Sequence, residues 1–182
     1  MALPDYGSLA LGTPIVWGEA GATTNYTVTK TLSLNNLAST KARMGVYADL
    51  GANWNRLYLV MLIVETGTAP TAALTADLYL PCSFDSIVWP SGVTGSDAAF
   101  KDSEEVEWLR QLNGPVMQLK ATNDGNVTQV QAAVLWTPKG RYVAPVVYNQ
   151  LGVGFRNQAT ASNNTSRVVL YPVLDQIQDN AP

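Results

Sequence analysis

The sequence predicts an all-β fold, an antiparallel jelly-roll-like sandwich with an extended N-terminal arm and one short helix. Three observations carry this. Apolar residues alternate with period two along most of the chain, clusters of Gly, Pro, Asn and Asp separate the alternating runs, and only one segment has helical periodicity. Eight or nine strands at irregular spacing, joined by long crossovers rather than uniform hairpins, favour a jelly roll over an up-and-down barrel. The 182 residues suit one domain, divided into an arm over residues 1–25 and a single sandwich over residues 26–182.

In the first 25 residues, Pro4, Gly7, Gly12, Pro14, Gly18 and Gly21 interrupt any regular element. Yet Leu9, Leu11, Ile15, Val16 and Trp17 are too apolar for a solvated tail. An arm laid over its own sandwich or over a neighbouring subunit accounts for both features. These five residues, with Trp89, are the expected subunit contacts.

From Tyr26 onward the alternation begins. Tyr26 and Val28, then Leu32 and Leu34, share a face, and Met44, Val46, Ala48 and Leu50 repeat the pattern. Arg56 to Glu65 is almost continuously apolar, as expected of a strand covered on both faces. After the turn at Thr66-Gly67-Thr68-Ala69-Pro70, alternation returns through Leu74, Ala76, Leu78 and Leu80. Residues 81–101, with Pro81, Pro90, Gly92 and Gly95, read as a long partner-facing loop with one short strand around Ile87, Val88 and Trp89.

The helix is expected over residues 103–112. Asp102 stands at the N-cap position, Val106, Leu109 and Leu112 form the apolar stripe, and Gly114-Pro115 stops it. Turn signals at Asn123-Asp124-Gly125-Asn126 and Thr137-Pro138-Lys139-Gly140 then divide residues 116–149 into three strands, predicted to pair as a hairpin meander. A polar stretch leads into a last strand, Arg167 to Leu174.

Composition excludes several chemistries. With no histidine, a His-based hydrolytic triad, His-ligated zinc and a His proton shuttle are all absent. The single cysteine, Cys82, permits neither an intrachain disulfide nor a thiolate cluster and reads as a small buried hydrophobe. Fourteen acidic residues against eleven basic ones remove the electrostatic footprint of most nucleic-acid binders. The longest apolar run, Leu57 to Val64, is far short of the roughly 20 residues that a membrane-spanning helix needs. The N-terminus has neither a basic region nor a continuous apolar region of a secretion signal, so cytoplasmic synthesis is expected.

Asp97, Asp102, Glu104, Glu105 and Glu107 form the one acidic cluster. A glycosidase needs two carboxylates across a cleft; acids at a helix start more simply complement its dipole. Gly152-Val153-Gly154-Phe155 lacks the third glycine and following helix of a phosphate loop and reads as a bend. Of the five tryptophans, Trp17, Trp108 and Trp136 suit core or subunit contacts, while Trp54 and Trp89 lie in loops where a ring can face a ligand.

Several segments together resemble small virion structural proteins of tailed bacteriophages. They are ALPDYGSLALGTPIVWGEAG, LSLNNLASTKARMGVYADLGANWNRLYLVMLIVE, GVTGSDAAF, GRYVAPVVYNQLGVGF and VVLYPVLDQIQ, in order over most of residues 1–178. The resemblance implies a virion component made in the bacterial host cytoplasm, of capsid decoration or cement type. It implies a homotrimer whose partner is the major capsid protein or another virion protein. It implies no reaction and no catalytic residue; no cofactor or metal is expected. A tail, baseplate or head-fibre-base module, or a carbohydrate-binding module, are the alternatives.

Overall fold

A computed structural model describes residues 10–19, 27–100, 103–122, 128–130, 133–156 and 166–174. In chain order, β1 (Ala10–Leu11), β2 (Ile15–Gly18), β3 (Lys30–Thr31), β4 (Lys41–Met44) and β5 (Ala48–Asp49) come first. Next are β6 (Tyr58–Glu65), β7 (Thr75–Tyr79), β8 (Cys82–Ser83), β9 (Ala98–Phe100) and helix α1 (Ser103–Asn113). The described elements end with β10 (Met117–Lys120), β11 (Thr128–Val130), β12 (Val134–Trp136), β13 (Tyr142–Val143), β14 (Val146–Asn149) and β15 (Arg167–Leu174).

The apolar run after Arg56 becomes β6, whose Tyr58, Val60, Leu62 and Val64 are buried while Leu59 and Met61, on the other face, are half-buried. β6 lies inside the largest sheet, ordered β11-β6-β15-β2-β3, with β12 continuing beside β6 and β1 beside β15. Tyr58, Val60, Leu62 and Val64 face the main core with Val168 and Leu170 of β15. Across that core stands a five-stranded sheet, β10-β7-β14-β4-β9, contributing Ala76, Leu78, Met117, Leu119 and Val147. A small third sheet, β5-β13-β8, adds Ala48 and Val143 to the same core. The fold is therefore mostly β and mostly antiparallel; β2 and β3 pair in parallel, Trp17 with Lys30 and Gly18 with Thr31.

The alternation in β7 predicts one wet face, but both faces are covered. Ala76 and Leu78 enter the main core, while Tyr79 joins a second apolar cluster with Met44, Phe100, Val146, and Val106 and Leu109 of α1. The helix thus packs on the outer face of the five-stranded sheet. Asp77, fully buried on that strand, is held by Arg110 Nη2 at 3.2 Å and by Gln118 Nε2 at 3.2 Å. Arg110 also donates to the Tyr79 hydroxyl at 3.0 Å, so a buried carboxylate and a helix residue fix where α1 sits. At the helix end Gly114, with φ +61°, returns its N–H to the Arg110 carbonyl at 3.0 Å, the expected left-handed stop before Pro115. Asp102 lies outside the described residues.

One expectation is corrected. Residues 116–148 do not form a hairpin meander: β10 pairs with β7, β11 and β12 with β6, β13 with β5 and β8, and β14 with β4 and β7. Successive strands pair with earlier partners because period two specifies which face is buried and leaves the neighbour open. The described part of the arm, residues 10–19, pairs into the chain's own large sheet. β1 and β2 run along one side of β15, Ala10 opposite Leu174 and Trp17 opposite Val168, with the Gly12 N–H bonded to the Pro172 carbonyl between them. The interrupting Gly12 and Pro14 fall in the break between these two strands, where Gly12 has room for little else: a Cβ there would stand 2.9 Å from the Pro172 ring.

Candidate interaction surface

Among the described residues, the loop between β8 and β9 holds the most exposed cluster of large apolar side chains. Phe84 is 72%, Ile87 82% and Val88 71% exposed. A strand here, expected around Ile87 to Trp89, is replaced by a turn built on Asp85. Its Oδ1 accepts the N–H groups of Ile87 and Val88, both at 2.9 Å, and the Ser83 hydroxyl at 3.0 Å. These bonds, first from Val88, then Ile87 and Ser83, hold the Asp85 carboxyl below its ordinary pKa. Ser86 takes a positive φ of 64°, and the Trp89 indole N–H closes the turn on the Ser86 carbonyl at 3.0 Å.

Aromatic rings hold the base of this loop. Trp89 packs against Tyr47 with centroids 6.0 Å apart, and Tyr47 meets Tyr142 edge-on at 5.8 Å. Gly95, with φ +70°, permits that packing, since a Cβ would come within 3.0 Å of both the Trp89 and Tyr47 rings. Phe84 stands edge-on to Trp54 at 5.8 Å. The local hydrogen bonds thus satisfy the backbone and leave the apolar side chains facing water.

Beside the loop opens a slot of about 510 Å³ at the edge of the sandwich. Leu80, Val116 and Trp136 line it from the core side, and Phe84, Val88 and Trp89 from the loop side. Two exposed charges of opposite sign, Asp85 and Lys139, border it. Cys82 also lines the slot, but burial pushes its thiol pKa up, which suits a packing role rather than a nucleophile.

The expected contact residues separate into different places. Trp17 is fully buried in the chain's own core and donates its indole N–H to the Val46 carbonyl at 2.7 Å. Ile15 packs against the same core, and Val16, 6% exposed, lines a groove of about 520 Å³ on the outer face of the large sheet with Met61, Ile63 and Val169. Alternation along β2 sends Ile15 and Trp17, both expected as subunit contacts, toward the chain's own core and leaves Val16 on the opposite, outer face. Leu11 is 41% exposed in β1, and Leu9 lies outside the described residues. Trp89 is half-buried at the loop base. Phe84, Asp85, Ile87 and Val88 lie within the loop expected to face a partner, and Ser83-Phe84-Asp85-Ser86 carries the Ser/Asp signal of a side-chain-bonded turn.

Asp97 and Glu107, the acids of the cluster whose side chains are described, are bonded to different partners. Asp97 accepts from Arg43 Nε at 2.9 Å, the Ser33 hydroxyl at 2.6 Å and the Ser33 N–H at 3.0 Å. Burial pushes its carboxyl pKa up, but these bonds more than offset that and leave it low. Glu19 is raised by burial and by the Asp97 charge, and its Oε2 is enclosed without a hydrogen-bond partner. Glu107 instead pairs with Arg110 at 3.5 Å along the helix. Residues 152–155 form a bend clamped by Asn149, whose Nδ2 donates to the carbonyls of Leu37 at 2.8 Å and Val153 at 2.9 Å. Among the described residues no group of three His, Cys, Asp or Glu is placed to hold a metal ion, and no helix is long and apolar enough to cross a membrane.

Comparison with protein-family models, curated proteins and solved structures found no match to this chain.

Proposed function

We propose that this chain is a non-enzymatic structural component of a tailed-phage virion, a capsid decoration or cement protein that stabilises the head through subunit contacts. The observation that carries the contact role is the rigid turn at Asp85, which holds Phe84, Ile87 and Val88 in water beside an apolar slot. Contiguous exposed apolar surface on a folded chain marks an interaction site, and a turn already ordered loses little freedom on docking. The resemblance of the sequence segments supplies the virion and, as partner, the major capsid protein. The finer fold reading, a jelly-roll-like sandwich, draws support from strands that cross repeatedly between two facing sheets. A carbohydrate-binding role finds less support, because the Trp89 ring is taken up by Tyr47 and its N–H by Ser86.

The test is co-sedimentation of the purified chain with heads and, separately, with tails of the phage that encodes it. Saturable binding to heads, weakened by Ile87→Asp at unchanged thermal stability, is expected. Binding to tails alone would favour the tail or baseplate alternative, and binding to neither would remove the virion reading.

A further inference from the structure

The apolar tip of the 84–88 loop and the apolar slot lie side by side on one surface. Phe84 and Val88 belong to both, and Ile87 projects from the tip without lining the slot. That adjacency limits the symmetry of any self-contact. When a protruding patch and its receptor share one surface, a two-fold rotation beside them lays each tip over the other slot, and the contact closes with two copies. A head-to-tail contact instead requires tip and receptor on separate faces, and it continues into a ring or a filament.

Charge on the slot border selects the occupant. Asp85 and Lys139 border the same slot and neither enters an ion pair among the described residues. Only Oδ1 of Asp85 is taken up by the turn. A small anion or a cationic peptide would match one of these charges and oppose the other. A second copy in two-fold relation brings each lysine toward the other copy's aspartate and matches both. The geometry points to this surface as a two-fold contact between two copies of this chain, with Ile87 and Val88 of each covering the slot of the other.

This contact does not rest on the virion reading, and it differs from the trimer that the resemblance implies. Sedimentation equilibrium of the full chain, over a concentration series reaching about 100 µM, tests it. The wild-type chain should reach a dimer or a larger even-numbered assembly. Ile87→Asp should raise the dissociation constant by roughly 30-fold or more, as for a central apolar contact. Lys139→Glu, which sets like charges against each other, should raise it by about tenfold, less at high salt. Both side chains are exposed, so circular dichroism, and melting temperatures taken at concentrations where the wild-type chain is monomeric, should stay unchanged and separate lost contact from lost folding. A wild-type chain that is monomeric throughout, an odd-numbered assembly, or association indifferent to Ile87→Asp would overturn the two-fold contact. Head binding is measured separately, so either result leaves the virion reading to its own test.

Discussion

The indole N–H of Trp17 reaches the carbonyl oxygen of Val46 over 2.7 Å, joining the second strand of the chain to the segment between β4 and β5. Trp17 therefore links the large sheet to the chain leaving the five-stranded one. Its ring is fully enclosed, packed in a cluster with Leu32, Leu34, Val168 and Leu170.

Trp17→Ala should cost about 3–5 kcal/mol of folding stability, the range for truncating a large buried aromatic. Trp17→Phe keeps most of the apolar volume, loses the hydrogen bond and should cost about 1–2 kcal/mol. Urea unfolding monitored by circular dichroism measures both. Deleting residues 1–18 should abolish cooperative unfolding; a truncated chain that melts like the intact one would return this segment to the status of a detachable arm.

Arg110→Ala leaves the fully buried Asp77 carboxylate without its cation and should destabilise by about 3 kcal/mol, the low end for a broken buried pair because Arg110 is itself 37% exposed. Asp77→Asn in the same background should recover part of the loss, since an amide is cheaper to leave unpaired than a carboxylate. Equal melting of the single and double variants would show that the pair does not hold α1 in place.

The Glu19 and Asp97 carboxyls give opposite dependences on pH. Glu19 has a folded pKa above its ordinary 4.5, so its contribution is whole below that value and is lost as rising pH ionises it beside Asp97. Asp97 has a folded pKa below its ordinary 3.8, so its contribution is present above that value and is lost as falling pH protonates it. Glu19→Gln should therefore stabilise the protein at pH 7, with the gain fading toward pH 4. Asp97→Asn should cost about 2 kcal/mol at pH 7, through its charge-assisted hydrogen bonds, with the cost shrinking near pH 3. Melting temperatures of the three chains across this range decide it.

Asp85→Ala removes the acceptor that shapes the 84–88 turn. Amide exchange at Ile87 and Val88 should accelerate while the global melting temperature stays nearly constant, and self-association should weaken with the loss of order. Gly95→Ala acts from below: a left-handed φ and two ring contacts should cost about 1–2 kcal/mol and loosen Trp89 from Tyr47.

Sequence pattern carried the elements further than their partners. The long apolar run places β6, and Gly114-Pro115 places the end of α1, because each is a local property of the chain. Pairing is not local. Met117 and Leu119 alternate as a strand should, but nothing in that alternation indicates that they lie opposite Leu78 and Ala76, 39 and 43 residues earlier. The four residues of β2 are too few for a period to emerge, so Gly12 and Pro14 dominated the reading of a segment that in fact carries Trp17 into the core. At the loop, the glycines and prolines marked irregular chain. The outward apolar side chains depend on three hydrogen bonds to a single Asp85 oxygen, which composition does not reveal.

β15 lies between β6 and β2, with Val169 opposite both Met61 and Val16. During synthesis, the large sheet therefore has a missing central strand until residue 174 has left the ribosome. At about 5–20 residues per second, the nascent chain carries an unfilled gap flanked by β6 and β2 for several seconds after β6 emerges. Its two open strand edges invite pairing with another chain. Folding of the large sheet should accordingly wait for β15 and be slow, as expected when pairing partners are distant in sequence. The vulnerable interval for aggregation lies before the last strand closes the sheet, rather than in the finished protein.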